Sequence, residues 1–276
     1  LEGLQMETYV GFDSAWTDKS PGAICAVVVE DRKPVRFHRP ELVTFDRALE
    51  FIKRVGQESG FTLVALDQPT LVPNATGMRP VERVAASVIS WMGGGVQPAN
   101  TGKLGMFCHS SPIWRFLESL GAIQNPEEAQ GAIKGVYLIE VFPALALASL
   151  EPKFFARLGA PKYNPANKKK FRKTDWKNVA DVAAREARLL DCEDLAKWCD
   201  EAALLPKPDK TNQDQLDAVL CLLTGLRWRL RPRRESLLLG DLPNGYMVLP
   251  MSEAVYSRLA TKAQELSVPI ARGISS

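Results

Sequence analysis

Apolar runs of strand length come first along the chain. METYVGFD alternates apolar and polar positions and closes on Asp13, AICAVVVE is a β-branched run suited to a central strand, and the turn Asp31-Arg32-Lys33-Pro34 leads into VRFH. The period then lengthens: Phe45, Leu49, Ile52 and Val55 predict a helix that stops near Gly56 and Gly60. FTLVALD follows as a short apolar strand closed by Pro69. Hairpin-linked strands pair antiparallel, whereas a helical crossover returns the fourth strand parallel to the first.

Further on, Val81, Val84, Ala85, Val88 and Ile89 predict a second helix, GGGVQPANTGKLG a glycine-rich loop, and SSPIWRFLESLG a helix capped at Ser110 or Ser111 before Pro112. GVYLIEVFP predicts a fifth strand. Residues from about 144 to 205 are patterned as a helical insertion whose interior, KYNPANKKKFRKTDWK, is too polar for a core. A helix is expected from near Gln213, then a small hairpin from LLLG and YMVLP, then a polar helix. The expected organisation is an α/β domain over residues 6–250, containing the insertion, with residues 251–276 as a C-terminal helix and tail.

Composition narrows the class rather than the function. The chain has 276 residues, 46% apolar and 24% charged, which excludes low-complexity, collagen-like and disordered readings. No apolar run approaches the roughly 20 residues of a membrane span, so no membrane partner is expected. LEGLQMETYV has neither a basic n-region nor an apolar h-region, and a cytoplasmic location is the expectation. Cys25, Cys108, Cys192, Cys199 and Cys221 are odd in number and lack C-x-x-C spacing, against a disulfide framework or a structural zinc site.

Two strand ends share one pattern. Val10-Gly11-Phe12-Asp13 and Val64-Ala65-Leu66-Asp67 each run apolar, small, apolar, Asp. In parallel neighbours, about 4.8 Å apart, both carboxylates emerge at the same sheet edge, where ligands bind in α/β folds. Asp214 and Asp217 lie three apart on one helix face, and Ala218, Cys221 and Gly225 continue it as small residues that let the helix approach the sheet. Hard oxygen ligands from separate elements suit Mg²⁺ or Mn²⁺, and two such ions about 3.5–4 Å apart clamp the attacking and leaving oxygens of a phosphodiester. Taken singly, an Asp that ends a strand or opens a helix is ordinary turn or dipole chemistry. The metal reading rests on their conjunction.

Three meander strands, a helix and a strand, with Asp at the ends of the first and fourth strands and an acidic pair on a late helix, resemble the RNase H-like superfamily, especially RuvC-type nucleases. GFDSAW, LDQPT, MRPVERVA, IEVFPA, DQLDAV and a GYMVLP-like ending, from about Tyr9 to Pro250, more closely resemble the family called domain of unknown function 429, regarded as a predicted nuclease of that fold. The resemblance implies an RNase H-like fold with a mixed five-stranded sheet flanked by helices. It implies metal ligation by Asp13 and Asp67, with Asp217 and Asp214 completing the site, and a ligand or orienting role for Glu140. Ribonuclease H proper has a glutamate on its first helix that neither Asp46 nor Glu50 obviously replaces, and RuvC-type enzymes tend to carry Glu where this chain has Asp67.

Arg79 and Arg83, four apart on one helix face just downstream of LDQPT, match family arginines and suit bidentate phosphate binding; the plain alternative is an i,i+3 or i,i+4 pair with Glu82 or a solvated helix face. His109 is placed for proton transfer or phosphate contact, although a lone His is more often structural. The net charge of +3 conceals two basic segments: residues 162–177 carry +6, including Lys168, Lys169, Lys170, Arg172 and Lys173 among aromatics, and residues 227–235 carry +4. Cations interleaved with aromatics suit a nucleic-acid backbone, DNA or RNA; a solvated loop and a dipole-favoured helix end are the plain alternatives. The expected function is a divalent-metal-dependent nuclease. A non-catalytic nucleic-acid-binding module is the alternative, and an actin-like phosphotransferase ranks last, because DSAWTDKSPGA offers only Gly22 for a phosphate loop.

Overall fold

Alternation along the first strand sorts its side chains between two cores, Tyr9 into one and Val10 and Phe12 into the other. In the computed structural model, which describes residues 6–273, that segment is β1 (Met6–Asp13). It is the middle strand of a five-stranded sheet with β2 (Gly22–Glu30), β3 (Lys33–Val43), β4 (Phe61–Leu66) and β5 (Gly135–Glu140), in the order β3-β2-β1-β4-β5. The meander pairs are antiparallel, and β1–β4 and β4–β5 are parallel. This is the mixed α/β sheet that the pattern and the resemblance imply. Residues 1–5, which begin the segment read for a leader, and residues 274–276 of the expected tail lie outside the described residues.

The crossover from the meander to β4 is α1 (Phe45–Gly56), whose Thr44 cap accepts from the Arg47 backbone N–H. Between β4 and β5 lie α2 (Pro80–Ile89), α3 (Pro112–Leu120) and the short α4 (Pro126–Gly131). Helices α1 and α3 cover the Val10 face, burying Phe45, Phe51, Ile113 and Phe116. After β5 come α5 (Pro143–Leu150), α6 (Lys173–Leu189), α7 (Glu193–Ala203) and α8 (Lys210–Leu230). Helix α8 lies directly on the Tyr9 face, with α6 and α7 packed beside it.

The approach of α8 to β1 is main chain against main chain. A Cβ on Gly11 would stand 2.1 Å from the Ala218 carbonyl oxygen and 2.4 Å from the Leu222 nitrogen, and one on Gly225 would meet Ala65 Cβ at 3.1 Å. The small residues expected to admit the helix do so. Its start differs from the expectation: Asp209 and Asn212 form a capping box, so the helix begins at Lys210 rather than near Gln213.

A second sheet completes the chain. The expected hairpin is β6 (Ser236–Asp241) with β7 (Gly245–Pro250); α9 (Glu253–Glu265) follows, and β8 (Ile270–Arg272) adds to β6 to give the order β7-β6-β8. Helix α9 packs on α2, burying Val255, Leu259 and Ala263. Neither β8 nor α4 was expected, since segments of three and six residues show too little period to read. The polar stretch KYNPANKKKFRKTDWK is also not wholly outside the core: Trp176 is fully buried, its indole N–H donating to the Ala202 carbonyl at 2.8 Å. Among the described residues no helix is long and apolar enough to cross a membrane.

Candidate functional site: an acidic cluster at the sheet edge

Phe12 pairs with Leu66 in parallel register, and the Asp67 backbone N–H donates to the Phe12 carbonyl at 2.9 Å, so Asp13 and Asp67 leave the sheet side by side. Each lies two residues beyond a position packed under α8, Gly11 and Ala65, and therefore faces that helix. The first two turns of α8 supply Asp214 and the buried Asp217. Asp13 and Asp214 open, with Lys210, Ser14 and Trp16, onto a cleft of about 520 Å³.

Charged neighbours in the cluster act on the protonation of Asp13, Asp67 and Asp217. Burial, then the fields of Asp217, Asp67 and Asp214, hold the Asp13 carboxyl well above the ordinary carboxylate range. Burial, then Asp217 and Glu140, do the same to Asp67. Asp217 is pushed up to about 6 by burial, even though Tyr163, Lys210 and Gln213 all favour its charged form. The Lys210 ammonium, paired with Asp214, is the cation whose field reaches Asp13, Asp67 and Asp217 alike.

Sequence reasoning did not assign the groups that hold this cluster. The Tyr163 hydroxyl donates to Asp217 Oδ1 at 2.6 Å and Gln213 Nε2 to Oδ2 at 2.9 Å. Gln213 and Lys210 sit four residues before their partners, a helical spacing that could have revealed both. Tyr163 lies 54 residues before Asp217, inside the segment read as polar surface, and offers no such signal. Trp16 adopts a left-handed backbone, φ 63°, uncommon for a bulky residue, and its indole N–H donates to the Asp67 carbonyl at 2.9 Å.

The remaining candidates separate. Glu140 is buried on the other side of the strand ends, where Arg79 grips it bidentately at 2.9 and 2.5 Å; it influences Asp67 only through its charge. Arg79 corrects the phosphate expectation. Its side chain is fully buried between Glu140 and Glu82, with the Leu71 carbonyl accepting from it as well. Arg79 is the N-cap of α2 and Arg83 lies exposed within the helix, so the two do not share a face. The pairing with Glu82 weighed as the plain alternative is what Arg79 makes. His109 is exposed in the loop before α3, and Ser111 occupies the N-cap position of that helix ahead of Pro112, its hydroxyl on the Cys108 sulfur rather than on a helix N–H. Lys168, Lys169 and Lys170 are exposed in the loop leaving Tyr163, with Arg172 and Lys173 exposed at the start of α6.

The donor set suits a hard divalent cation in kind, all oxygen and strongly anionic. Among the described residues, however, no three His, Cys, Asp or Glu side chains form a ready-made ligand set. Asp217 and Asp214 spend oxygens on Tyr163, Gln213 and Lys210, whereas burial and like charge dominate at Asp13 and Asp67. An ion held by all four acids would have to displace some of those contacts. No curated protein and no solved structure gives a significant match to the chain. Residues 11–239, from the glycine under α8 into β6, the first strand of the hairpin, match one family, and the chain belongs to it: the family described as Protein of unknown function (DUF429).

Proposed function

We propose that the protein is a divalent-cation-dependent phosphodiesterase acting on nucleic acid. The observation that carries this reading is the gathering of Asp13, Asp67, Asp214 and Asp217 at one sheet edge with Lys210 as the shared cation. Carboxylates buried together repel unless protons or cations are supplied, and Mg²⁺ or Mn²⁺ would polarise a phosphoryl oxygen there. In this reading Asp13 and Asp67 hold the cation, Asp217 is oriented by Tyr163 and Gln213, and the exposed lysines beyond Tyr163 attract the polymer. Asp13→Asn is expected to abolish Mg²⁺- or Mn²⁺-dependent cleavage of DNA or RNA while leaving binding intact; unchanged cleavage by that variant refutes the assignment.

A second reading is favoured by the side-chain contacts already made to Asp214 and Asp217. On it, the protein binds nucleic acid without hydrolysing it. Binding would then weaken with salt, ignore chelator, and lead to no turnover with either ion.

A further inference from the structure

The acids of the cluster are not equally open to a cation. Both oxygens of the buried Asp217 are engaged, Oδ1 by the Tyr163 hydroxyl at 2.6 Å and Oδ2 by Gln213 Nε2 at 2.9 Å. Asp214 gives Oδ1 to the ammonium of Lys210, four residues before it on the same helix. Among the described residues, none donates a hydrogen bond to the carboxylates of Asp13 and Asp67, where burial and like charge act instead. The four acids thus divide into an open pair at the strand ends and a closed pair on α8. The cluster also leaves one buried atom without a partner. An ionised Asp217 only accepts, so it fixes the Gln213 amide with the nitrogen towards itself, and Oε1 at the other end of that buried amide has no donor. A carbonyl oxygen so placed is satisfied by a proton donor or by a hard cation.

The supply of free oxygens limits the number of ions. Mg²⁺ is commonly held through one or two carboxylates, with water and phosphate oxygens in its other positions, and Asp13 with Asp67 meets that need. Two ions about 3.5–4 Å apart would draw on Asp214 and Asp217 as well. The second would have to break the bonds from Tyr163 and Gln213 and settle beside the Lys210 ammonium, against the repulsion of like charge. Lys210 is half exposed, yet its helical spacing from Asp214 brings the ammonium back to that acid whenever the acid is charged.

We propose that the cluster takes a single divalent cation, on Asp13 and Asp67, and that Lys210, Tyr163 and Gln213 close Asp214 and Asp217 to a second. The inference rests on the cation of the proposed function and departs from the two-ion clamp expected from the sequence. Asp214 and Asp217 are then fixed charges beside the ion rather than its ligands. Lys210, which lines the cleft with Asp13 and Asp214, is the second positive charge that an entering phosphate meets.

Calorimetric titration of the full chain with Mn²⁺ alone, the free ion counted by electron paramagnetic resonance, reads the number of ions without requiring cleavage. One ion per chain is expected, and Asp13→Asn is expected to lower its affinity at least about tenfold. Lys210→Met combined with Tyr163→Phe, which frees an oxygen on each helical acid, is expected to admit a second ion. Two ions on the unmodified chain, none, or a folded double variant that stays at one overturns the proposal. If the double variant melts early, the count on the unmodified chain decides, together with the order of cleavage in metal. Cleavage of a DNA or RNA strand is followed in parallel, its initial rate expected to rise with the first power of Mn²⁺ below saturation. Cleavage with two bound ions, or with a second-power dependence, removes the single-ion site and leaves the nuclease reading; one bound ion without cleavage does the reverse.

Discussion

The two basic segments are alike in carrying cations among aromatics and opposite in structure. In residues 227–235 the guanidinium groups reach back into the fold. Arg227 pairs with Glu186 at 2.8 Å and with Glu235; Arg229 pairs with Glu7 at 2.8 Å, donates to the Gln130 and Ala132 carbonyls and lies 4.6 Å from the centre of the Phe61 ring. Arg231 pairs with Glu235, and Arg233 pairs with Glu127 while stacking on Trp228 at 4.4 Å. In residues 162–177, Lys168, Lys169 and Lys170 stay exposed in a loop, and Lys173 opens α6, where the helix dipole disfavours a cation. Charge counting treats the segments as equivalent. Geometry shows that Arg227, Arg229 and Arg233 fasten α8 and the chain following it to its neighbours, and that Lys168, Lys169 and Lys170 stand exposed.

Arg229→Ala should break this comparison most visibly. It strips the partner from a largely buried Glu7 and should cost about 3 kcal/mol in urea denaturation, the scale for breaking a buried pair. Replacing Lys168, Lys169 and Lys170 together by Ala should leave stability within about 0.5 kcal/mol. The same change should weaken nucleic-acid binding and flatten the slope of log affinity against log salt by about 2 to 3. If the triple variant unfolds early while Arg229→Ala binds nucleic acid poorly but stays stable, the two roles are exchanged.

The aspartates that the arginines do not neutralise give the next effect. Asp217 lies at about 6 in the folded protein against an ordinary 3.8, so the native state binds the proton more tightly than the unfolded chain does. Its contribution is most favourable below about pH 4 and is lost as pH rises through about 6, and Asp13 and Asp67 shift in the same direction. Cation-free protein should therefore lose roughly 2 kcal/mol between about pH 4 and pH 7, and Asp13→Asn should recover part of it. Thermal melts across that range decide, and a rising melting temperature contradicts the cluster. The smallest effect belongs to Tyr163→Phe, which removes a donor to the charged form of Asp217. It should raise that group above about 6 in a carboxyl NMR titration and cost about 1 kcal/mol above that pH.

What the sequence revealed followed from local periodicity and handedness. Period two placed β1, a short apolar run closed by Pro69 placed β4, the single crossover made them parallel, and the Asp after each apolar run brought Asp13 and Asp67 together. Small residues every three or four positions along α8 announced its close packing on the sheet. What stayed hidden depends on contacts distant along the chain or on an exact helix boundary. Arg79 and Arg83 are four apart, but Arg79 precedes the first helical residue, so the spacing rule does not apply to it; Pro80, a frequent first helical residue, was the available cue. Tyr163 reaches Asp217 from a lysine-rich loop that no periodic signal ties to the sheet. The left-handed Trp16 has no sequence signature, since its neighbours impose the conformation.

The seat of Ala218 and Leu222 on Gly11 makes the spacing of the acidic cluster a property of the backbone. The same contact leaves α8 no partly detached state in which the cluster survives, because lifting the helix uncovers the middle strand of the sheet. Amide exchange along 214–222 is therefore expected to be as slow as that of the central strands and to report opening of the whole fold rather than a local breathing motion.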